Sequence, residues 1–152
     1  MDITHDLNIK AQSETIYKAV ATQKGIQSWW CNNSEVAETE GGTSLLKFNK
    51  EGTIVPMSFK TITLNPNKKV VWECIENPNP AWIGTQITTT IEDEGKVTFT
   101  HSGFDDKWKG QEAFEMTKGT WNHFMSSLKA SIANAVEKLP SHADFIQQYC
   151  KS

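Results

Sequence analysis

The sequence predicts an α+β domain in which a curved, seven-stranded antiparallel sheet wraps around one long C-terminal helix. Two patterns and the chain length predict this fold. Short alternating segments separated by turns run from Ser34 to Phe104, and apolar residues then recur at helical spacing. The 152 residues are enough for about one domain. Strands with a single apolar face need a cover, and the long helix is the only large one.

The chain begins with a strand and two short helices. Residues 3–9 alternate between apolar and polar, which is typical of a half-buried strand. Ser13 can cap the first helix. We expect Gly25 to interrupt it, and a second short helix to run as far as Trp29 and Trp30. The first strand must join the sheet, which brings the total to seven.

Six further strands follow, and turn residues separate them. We predict them at about residues 35–39, 44–49, 53–64, 69–75, 86–92 and 96–104. Pro56 favours an edge or a bulge in the third of these strands, because proline cannot donate a ladder hydrogen bond. The two prolines of residues 77–80 exclude regular pairing there. Short strands joined by tight turns indicate an antiparallel meander.

The long helix is predicted over about residues 111–138 from a single apolar stripe. The stripe consists of Phe114, Thr117, Trp121, Phe124, Met125, Leu128, Ile132 and Val136. At 1.5 Å per residue such a helix is roughly 42 Å long, and Pro140 ends it. We therefore expect one domain over residues 1–140 and a tail over residues 141–152 that can add a short helix.

Composition disfavours several classes of function. All 15 basic residues are lysine, so the arginine fork that recognises phosphate and guanine is missing, and nucleic-acid binding is not expected. No apolar run approaches the ~18 residues of a membrane helix. The first residues lack the features of a signal peptide. Cys31, Cys74 and Cys150 form no C-x-x-C pair and are expected to be free thiols, which predicts a cytoplasmic location.

His101 is the strongest single candidate for chemistry. It shares a strand face with Val97 and Phe99, so its imidazole could orient a ligand or act as a general base inside a cavity. We favour the alternative, a buried and hydrogen-bonded histidine in the cavity wall, because the sequence fixes no carboxylate beside it. The four histidines show no metal-ligand spacing, and no nucleophile motif is present. No metal and no cofactor is expected.

Six tryptophans are many for this length, and most cluster where the architecture leaves a gap between helix and sheet. They predict an aromatic-lined cavity for an apolar or ring-bearing ligand. A filled aromatic core is the alternative, and we expect it for Trp29, Trp30 and Trp121. Trp82 and Trp108 lie in loops that could rim the entrance. The predicted ligand-binding residues are Phe48, Met57, Phe59, Trp72, Phe99, His101, Phe114, Trp121 and Met125.

Several short motifs between about residues 3 and 136 point to a known family. They are Ile9-Lys10-Ala11, residues 13–17, Trp29-Trp30, residues 70–73, residues 100–104, Gly119-Thr120-Trp121 with Phe124, and Ser127-Leu128-Lys129. With them the chain resembles the SRPBCC superfamily, the helix-grip fold of START domains and the birch-pollen allergen family. It is most similar to the branch related to the C-terminal domain of the activator of heat-shock protein 90 ATPase. Thr120 departs from the pattern, since the family commonly places glycine directly before this tryptophan. No glycine follows the helix at Leu139-Pro140 either.

The sequence supports one preferred function and two alternatives. We predict non-catalytic binding of a small hydrophobic or aromatic molecule by a monomer or weak dimer. The resemblance implies the first alternative, a chaperone co-factor that stimulates the heat-shock protein 90 ATPase. The second alternative is a cyclase, dehydratase or hydrolase with His101 as base, which requires a carboxylate or tyrosine hydroxyl beside His101. The identity of the ligand stays open.

Overall fold

A computed structural model of the chain describes the backbone of residues 1–137 and the side chains of residues 1–134. One antiparallel sheet contains seven strands in the order β1-β7-β6-β5-β4-β3-β2. The strands are β1 (Ile3–Asn8), β2 (Ser34–Glu35), β3 (Thr43–Lys50), β4 (Thr53–Asn65), β5 (Lys69–Glu76), β6 (Gln86–Ile91) and β7 (Lys96–Ser102). The helices are α1 (Ser13–Ala21), α2 (Gln23–Trp29) and α3 (Glu112–Glu137). The predicted fold is confirmed.

The core lies between the inner face of the sheet and α3. Phe99 of β7 and Trp121 of α3 meet with ring centroids 4.5 Å apart. The predicted apolar stripe of α3 is buried from Phe114 to Ile132, while the side chain of Val136 lies outside the described residues. Pro140 and the tail over residues 141–152 also lie outside them, so the predicted domain boundary stays a prediction.

The two short helices differ from the prediction in detail. Ser13 is the first residue of α1 rather than its cap, and Gln12 precedes it without a side-chain cap hydrogen bond. Gly25 lies inside α2 instead of between the helices. Thr22 is the residue between α1 and α2. Its hydroxyl accepts a hydrogen bond from the Gly25 amide at 3.0 Å and donates one to the Lys18 carbonyl at 2.7 Å. A Cβ at Gly25 would lie 2.0 Å from that carbonyl oxygen, so this close helix crossing requires glycine.

The extent of a strand depends on the neighbouring strands with which it can pair. The predicted strand at residues 35–39 shrinks to Ser34–Glu35, which pairs only with part of β3. Pro56 pairs opposite Lys47 of β3, and it lies on the open side of β4 because pairing with β5 begins at Ser58. A missing amide is tolerated at such an edge. Among the described residues, no helix is long and apolar enough to cross a membrane.

The cysteines were expected to be free thiols, and one of them is not. Cys31 is disulfide-bonded, so that expectation is wrong at this position. Cys74 is a free thiol and is fully buried. Burial raises the pKa of the Cys74 thiol to about 12, so it remains protonated and unreactive at neutral pH.

Candidate ligand-binding site

A cavity of about 710 Å³ opens between the β3–β4 hairpin, the segment after β5 and the middle of α3. This volume falls within the range of small-molecule sites, ~300–1,000 Å³. Its apolar wall consists of Trp30, Phe48, Val55, Met57, Pro78, Trp82 and Phe124. Its polar residues are Asn49, Lys50, Glu51, Asn77, Asn79 and Thr120. The charged residues among them, Lys50 and Glu51, have opposite signs and are adjacent in the hairpin turn.

Strand alternation positions the hairpin side of this wall. Phe48 of β3 is paired with Val55 of β4, and Met57 follows two residues later on the same strand face. The turn between the strands has Glu51 at φ 54° and Gly52 at φ 87°. Two left-handed residues match the right-handed twist of the flanking strands, which fixes the register of the hairpin and hence the direction of its apolar side chains.

The opposite side of the cavity is the loop after β5, which a hydrogen bond from Asn79 joins to α3. The amide of Asn79 donates to Asn77 Oδ1 at 2.7 Å, and Asn79 Oδ1 accepts from the Ala81 amide at 3.0 Å. The Asn79 Nδ2 donates to the Ala113 carbonyl at 3.0 Å. These bonds use the asparagines as turn formers and hold both residues in the cavity lining.

Trp30 forms the floor of the cavity. Its side chain is only 3% exposed, and it separates the cavity from the core. Its ring centroid lies 5.4 to 6.2 Å from those of Trp29, Phe48, Phe59, Trp72, Trp121 and Phe124. A planar ligand on this floor would therefore extend an existing aromatic stack.

The structure divides the predicted ligand-binding residues into two groups. Phe48 and Met57 line the cavity. The others are buried in the core and do not line it; they are Phe59, Trp72, Phe99, His101, Phe114, Trp121 and Met125. Of the two loop tryptophans expected at the entrance, Trp82 lines the cavity and Trp108 does not. Sequence reasoning missed Trp30 and Phe124 as lining residues, because a core position and a cavity floor have the same periodicity.

His101 lies behind this wall and is fully buried. Its Nδ1 accepts a hydrogen bond from the Trp121 Nε1 at 2.9 Å. Because an indole N–H can only donate, Nδ1 carries the lone pair and the proton of the neutral ring is on Nε2. That Nε2 donates to the Thr85 hydroxyl at 2.7 Å, and Thr85 donates in turn to the carbonyl of Trp82. Both nitrogens of the imidazole are thus used within the protein.

In this network His101 is not available as a general base. Burial lowers the pKa of His101 to about 3, and a proton on Nδ1 would face the Trp121 N–H. The rings of Phe104 and Trp82 pack against the imidazole at centroid distances of 4.4 and 4.6 Å. Within the described residues, neither a carboxylate nor a tyrosine hydroxyl bonds to His101. We assign His101 a structural role.

The depressed pKa of His101 predicts acid sensitivity. The unfolded chain binds a proton near pH 6.5 but the folded chain only near pH 3, so stability falls as the pH drops through this window. The His101 contribution should approach ~1.4 kcal/mol per pH unit. Urea unfolding of wild type and His101→Gln at pH 7, 5.5 and 4.5 measures it. Equal pH slopes for the two proteins would contradict the prediction.

A second cavity, of about 630 Å³, lies between α1, α2 and the C-terminal part of α3. Lysines, threonines and other polar side chains make up most of its lining, which includes Lys18, Thr22, Lys24 and Glu38. None of its lining residues within the described part of the chain is aromatic. We therefore place the candidate site in the aromatic cavity rather than here.

The chain matches a known protein family over most of its length. A family model described as "Activator of Hsp90 ATPase homolog 1-like protein" matches residues 10–133. The chain belongs to this family. The matched range contains the whole cavity and His101, and it confirms the resemblance found in the sequence. No curated protein gives a significant match.

Solved structures agree with membership of this activator-like family. The solution structure of the Aha1 dimer from Colwellia psychrerythraea is 32% identical, with a TM-score of 0.69, and the alignment covers 87% of this chain and 96% of that one. Protein MLL2253 from Mesorhizobium loti is 16% identical with a TM-score of 0.70, over 88% and 98% of the two chains. A protein from Arthrobacter aurescens is also 16% identical, with a TM-score of 0.71, over 93% and 91%. The last two similarities show the fold alone.

Proposed function

We propose that the protein binds a small hydrophobic or aromatic molecule in the cavity above Trp30 and does not transform it. The observation that carries this proposal is the lining itself. Aromatic and aliphatic side chains form the apolar walls, and three asparagines, Thr120 and the charged pair Lys50 and Glu51 form the polar part of the lining. Apolar walls favour burial of a ring, and a few polar groups orient it.

The chemistry of the nearby groups supports binding without catalysis. His101 is neutral, buried and engaged on both nitrogens, and Cys74 is a protonated thiol. Lys50 and Glu51 are exposed at the turn and lie next to each other in sequence. The two of these groups with perturbed pKa values, His101 and Cys74, are both fully buried and do not line the cavity, whereas an acid–base or nucleophilic site needs such a group within reach of the ligand.

Filling the cavity should block binding of an aromatic probe. We expect naphthalene to bind the wild type with a dissociation constant in the micromolar to millimolar range, because burying roughly 250 Å² of apolar surface gains about 6 kcal/mol before ordering costs. Val55→Trp places an indole in the cavity and should weaken binding at least about tenfold, a loss of ~1.4 kcal/mol. Isothermal titration calorimetry measures both constants.

Ile54→Trp provides the matched control. Ile54 is the preceding residue of β4 and is 48% exposed on the opposite strand face, so an indole there leaves the cavity open. We expect its affinity for naphthalene to match the wild type. Undetectable binding to the wild type, or equal binding to Val55→Trp, would refute the proposed function. Native mass spectrometry of the purified protein would identify a retained natural ligand.

Membership of the activator-like family favours a second candidate, stimulation of a chaperone ATPase. The assay is the ATPase rate of heat-shock protein 90 with and without the protein. Stimulation that survives in Val55→Trp would favour this candidate over ligand carriage. A cytoplasmic location and a monomeric or weakly dimeric state stay predictions, which cell fractionation and analytical ultracentrifugation would check.

A further inference from the structure

The three asparagines in the lining of the candidate site use their side-chain oxygens within the protein. The Asn49 Oδ1 accepts from the Gly52 amide at 2.9 Å. The Asn77 Oδ1 accepts from the Asn79 amide at 2.7 Å, and the Asn79 Oδ1 accepts from the Ala81 amide at 3.0 Å. These bonds fix which end of each side chain is the oxygen. The Nδ2 group, a pure donor, is therefore directed away from the main-chain amide that its oxygen binds.

Most of these Nδ2 groups have no strong acceptor. The Asn79 Nδ2 donates one of its hydrogens to the Ala113 carbonyl at 3.0 Å. Among the described residues, the Nδ2 of Asn49 has no hydrogen-bond partner. The Asn77 Nδ2 is buried without a partner of good geometry and lies beside the Cys74 sulfur, which is only a weak acceptor.

Asn77 differs from the other unpartnered groups in the described part of the chain. Four buried side-chain atoms lack a hydrogen-bond partner there, and they are Asn32 Oδ1, the Thr61 hydroxyl, Trp72 Nε1 and Asn77 Nδ2. Of these four residues, Asn77 alone lines the large cavity. A buried donor without an acceptor carries the full cost of its lost hydration. In the wall of a cavity, a ligand oxygen can offset that cost.

Acceptors are scarcer than donors in the same lining. The Thr120 hydroxyl donates to the Met116 carbonyl at 3.0 Å, so its oxygen is what remains for a ligand. The Glu51 carboxylate also accepts, but it lies at an exposed turn next to Lys50, whose charge has the opposite sign. The uncharged part of the lining thus offers three amide groups that donate and one hydroxyl that accepts.

We propose that the ligand carries a carbonyl or carboxylate group whose oxygens accept hydrogen bonds from the Nδ2 groups of Asn49 and Asn77. This inference rests on the proposed function and specifies its ligand as an aromatic or apolar body with an acceptor group. The apolar walls hold the body, and the N–H groups orient the acceptor. A polar group that only donates, such as an ammonium, leaves Asn77 without an acceptor.

Four probes with one ring system test the inference. Naphthalene, 2-acetylnaphthalene, 2-naphthoate and 2-naphthylmethylammonium are titrated calorimetrically into the wild type at neutral pH. We expect 2-acetylnaphthalene to bind about tenfold tighter than naphthalene, because it gains hydrogen bonds that naphthalene cannot form. The ammonium probe should bind no tighter than naphthalene. Whichever of the ketone and the carboxylate binds more tightly identifies the acceptor that the site favours, and both results support the inference.

Asn49→Asp and Asn77→Asp remove the donors and keep the turns. Aspartate retains an Oδ1 for the Gly52 or Asn79 amide and replaces the N–H group with an oxygen. Each variant should bring the preference for 2-acetylnaphthalene over naphthalene below about threefold. The ketone decides the question, because it is uncharged and the new negative charge does not repel it as it repels 2-naphthoate.

Asn67→Asp is the matched control. Asn67 is an exposed turn residue that does not line the cavity, and its substitution changes the net charge by the same amount. We expect this variant to keep the preference of the wild type. A loss of preference in Asn67→Asp equal to that in the other two variants would mean that net charge, and not the lost donors, causes it, and the inference would fail.

The side-chain amide resonances provide a direct readout. In a ¹⁵N–¹H spectrum, the pair of signals that disappears in Asn77→Asp belongs to the Asn77 Nδ2. At least one of the two protons should move further downfield with 2-acetylnaphthalene than with naphthalene, because it then donates to an oxygen. Should Asn77→Asp fail to fold, Asn49→Asp and the amide signals of Asn49 still decide the question.

The outcomes separate the two proposals. Equal affinity of the wild type for naphthalene and 2-acetylnaphthalene, or a preference that survives both Asn49→Asp and Asn77→Asp, would overturn the inference alone if Val55→Trp still blocks naphthalene. Tighter binding of the ammonium probe than of the ketone and the carboxylate would overturn the assignment of an acceptor. Absence of all binding would overturn the proposed function and this inference together.

Discussion

Replacing His101 with alanine should lower the free energy of unfolding by about 3–5 kcal/mol. The change leaves the Trp121 Nε1 without its acceptor at 2.9 Å and removes the donor to the Thr85 hydroxyl. It also opens a cavity among aromatic rings that cannot close over it completely, since Phe104 and Trp82 pack directly on the imidazole. Urea denaturation at pH 7 measures the loss.

The control for this variant is His5→Ala. His5 is only half-buried on β1, so its removal should cost less than about 1 kcal/mol. A similarly small loss for His101→Ala would contradict the structural role. His101 would then be a candidate for the enzymatic alternative again, because a functional histidine can be removed with little loss of stability.

Gly95→Ala should be about as damaging, with an expected loss of about 3–5 kcal/mol. Gly95 has φ +76°, and a Cβ there would lie 1.8 Å from the Ile9 carbonyl oxygen. The obstacle is backbone, and the Ile9 amide also donates to the Gly95 carbonyl at 2.8 Å. The end of β1 and the β6–β7 turn would have to separate. Thermal and urea unfolding of the purified variant would show the loss.

Gly52→Ala isolates the steric part of this prediction. Gly52 has φ +87°, yet nothing lies within 4 Å of the position that its Cβ would take. Alanine at this position should lower the free energy of unfolding only through the left-handed backbone conformation, by about 1–2 kcal/mol. If both variants lose the same stability, the close approach of Gly95 to Ile9 contributes nothing, and the prediction fails.

The fold could be predicted from the sequence because its signals are local and repeated. Alternation of apolar and polar residues predicts which face of β3 and β7 is buried, and the apolar stripe does the same for α3. Turn residues indicate where each strand ends. Details that depend on a neighbouring element were missed. From the sequence, Gly25 is predicted to interrupt a helix. Only the contact of α1 with α2 shows that glycine is needed inside α2.

The candidate site was harder to predict for a related reason. Periodicity shows that Phe59 and Phe48 share a face, but it does not show that Phe59 is deep in the core while Phe48 reaches the cavity. Depth along a strand depends on how far α3 and the loop after β5 extend over the sheet. The face of His101 was predicted correctly, whereas its partners Thr85 and Trp121 come from elements that only the tertiary fold brings together.

The pairing of β1 with β7 bears on how this chain reaches its native state. Ile3 lies opposite His101 and Asn8 opposite Lys96, so the chain must be made as far as β7, with the five intervening strands, before the first strand can pair. Closing so large a loop slows folding. Until β1 returns, the edge of β7 that carries His101 remains open to pairing with another chain. Molecules leaving the ribosome thus pass through a stage in which aggregation competes with completion of the sheet.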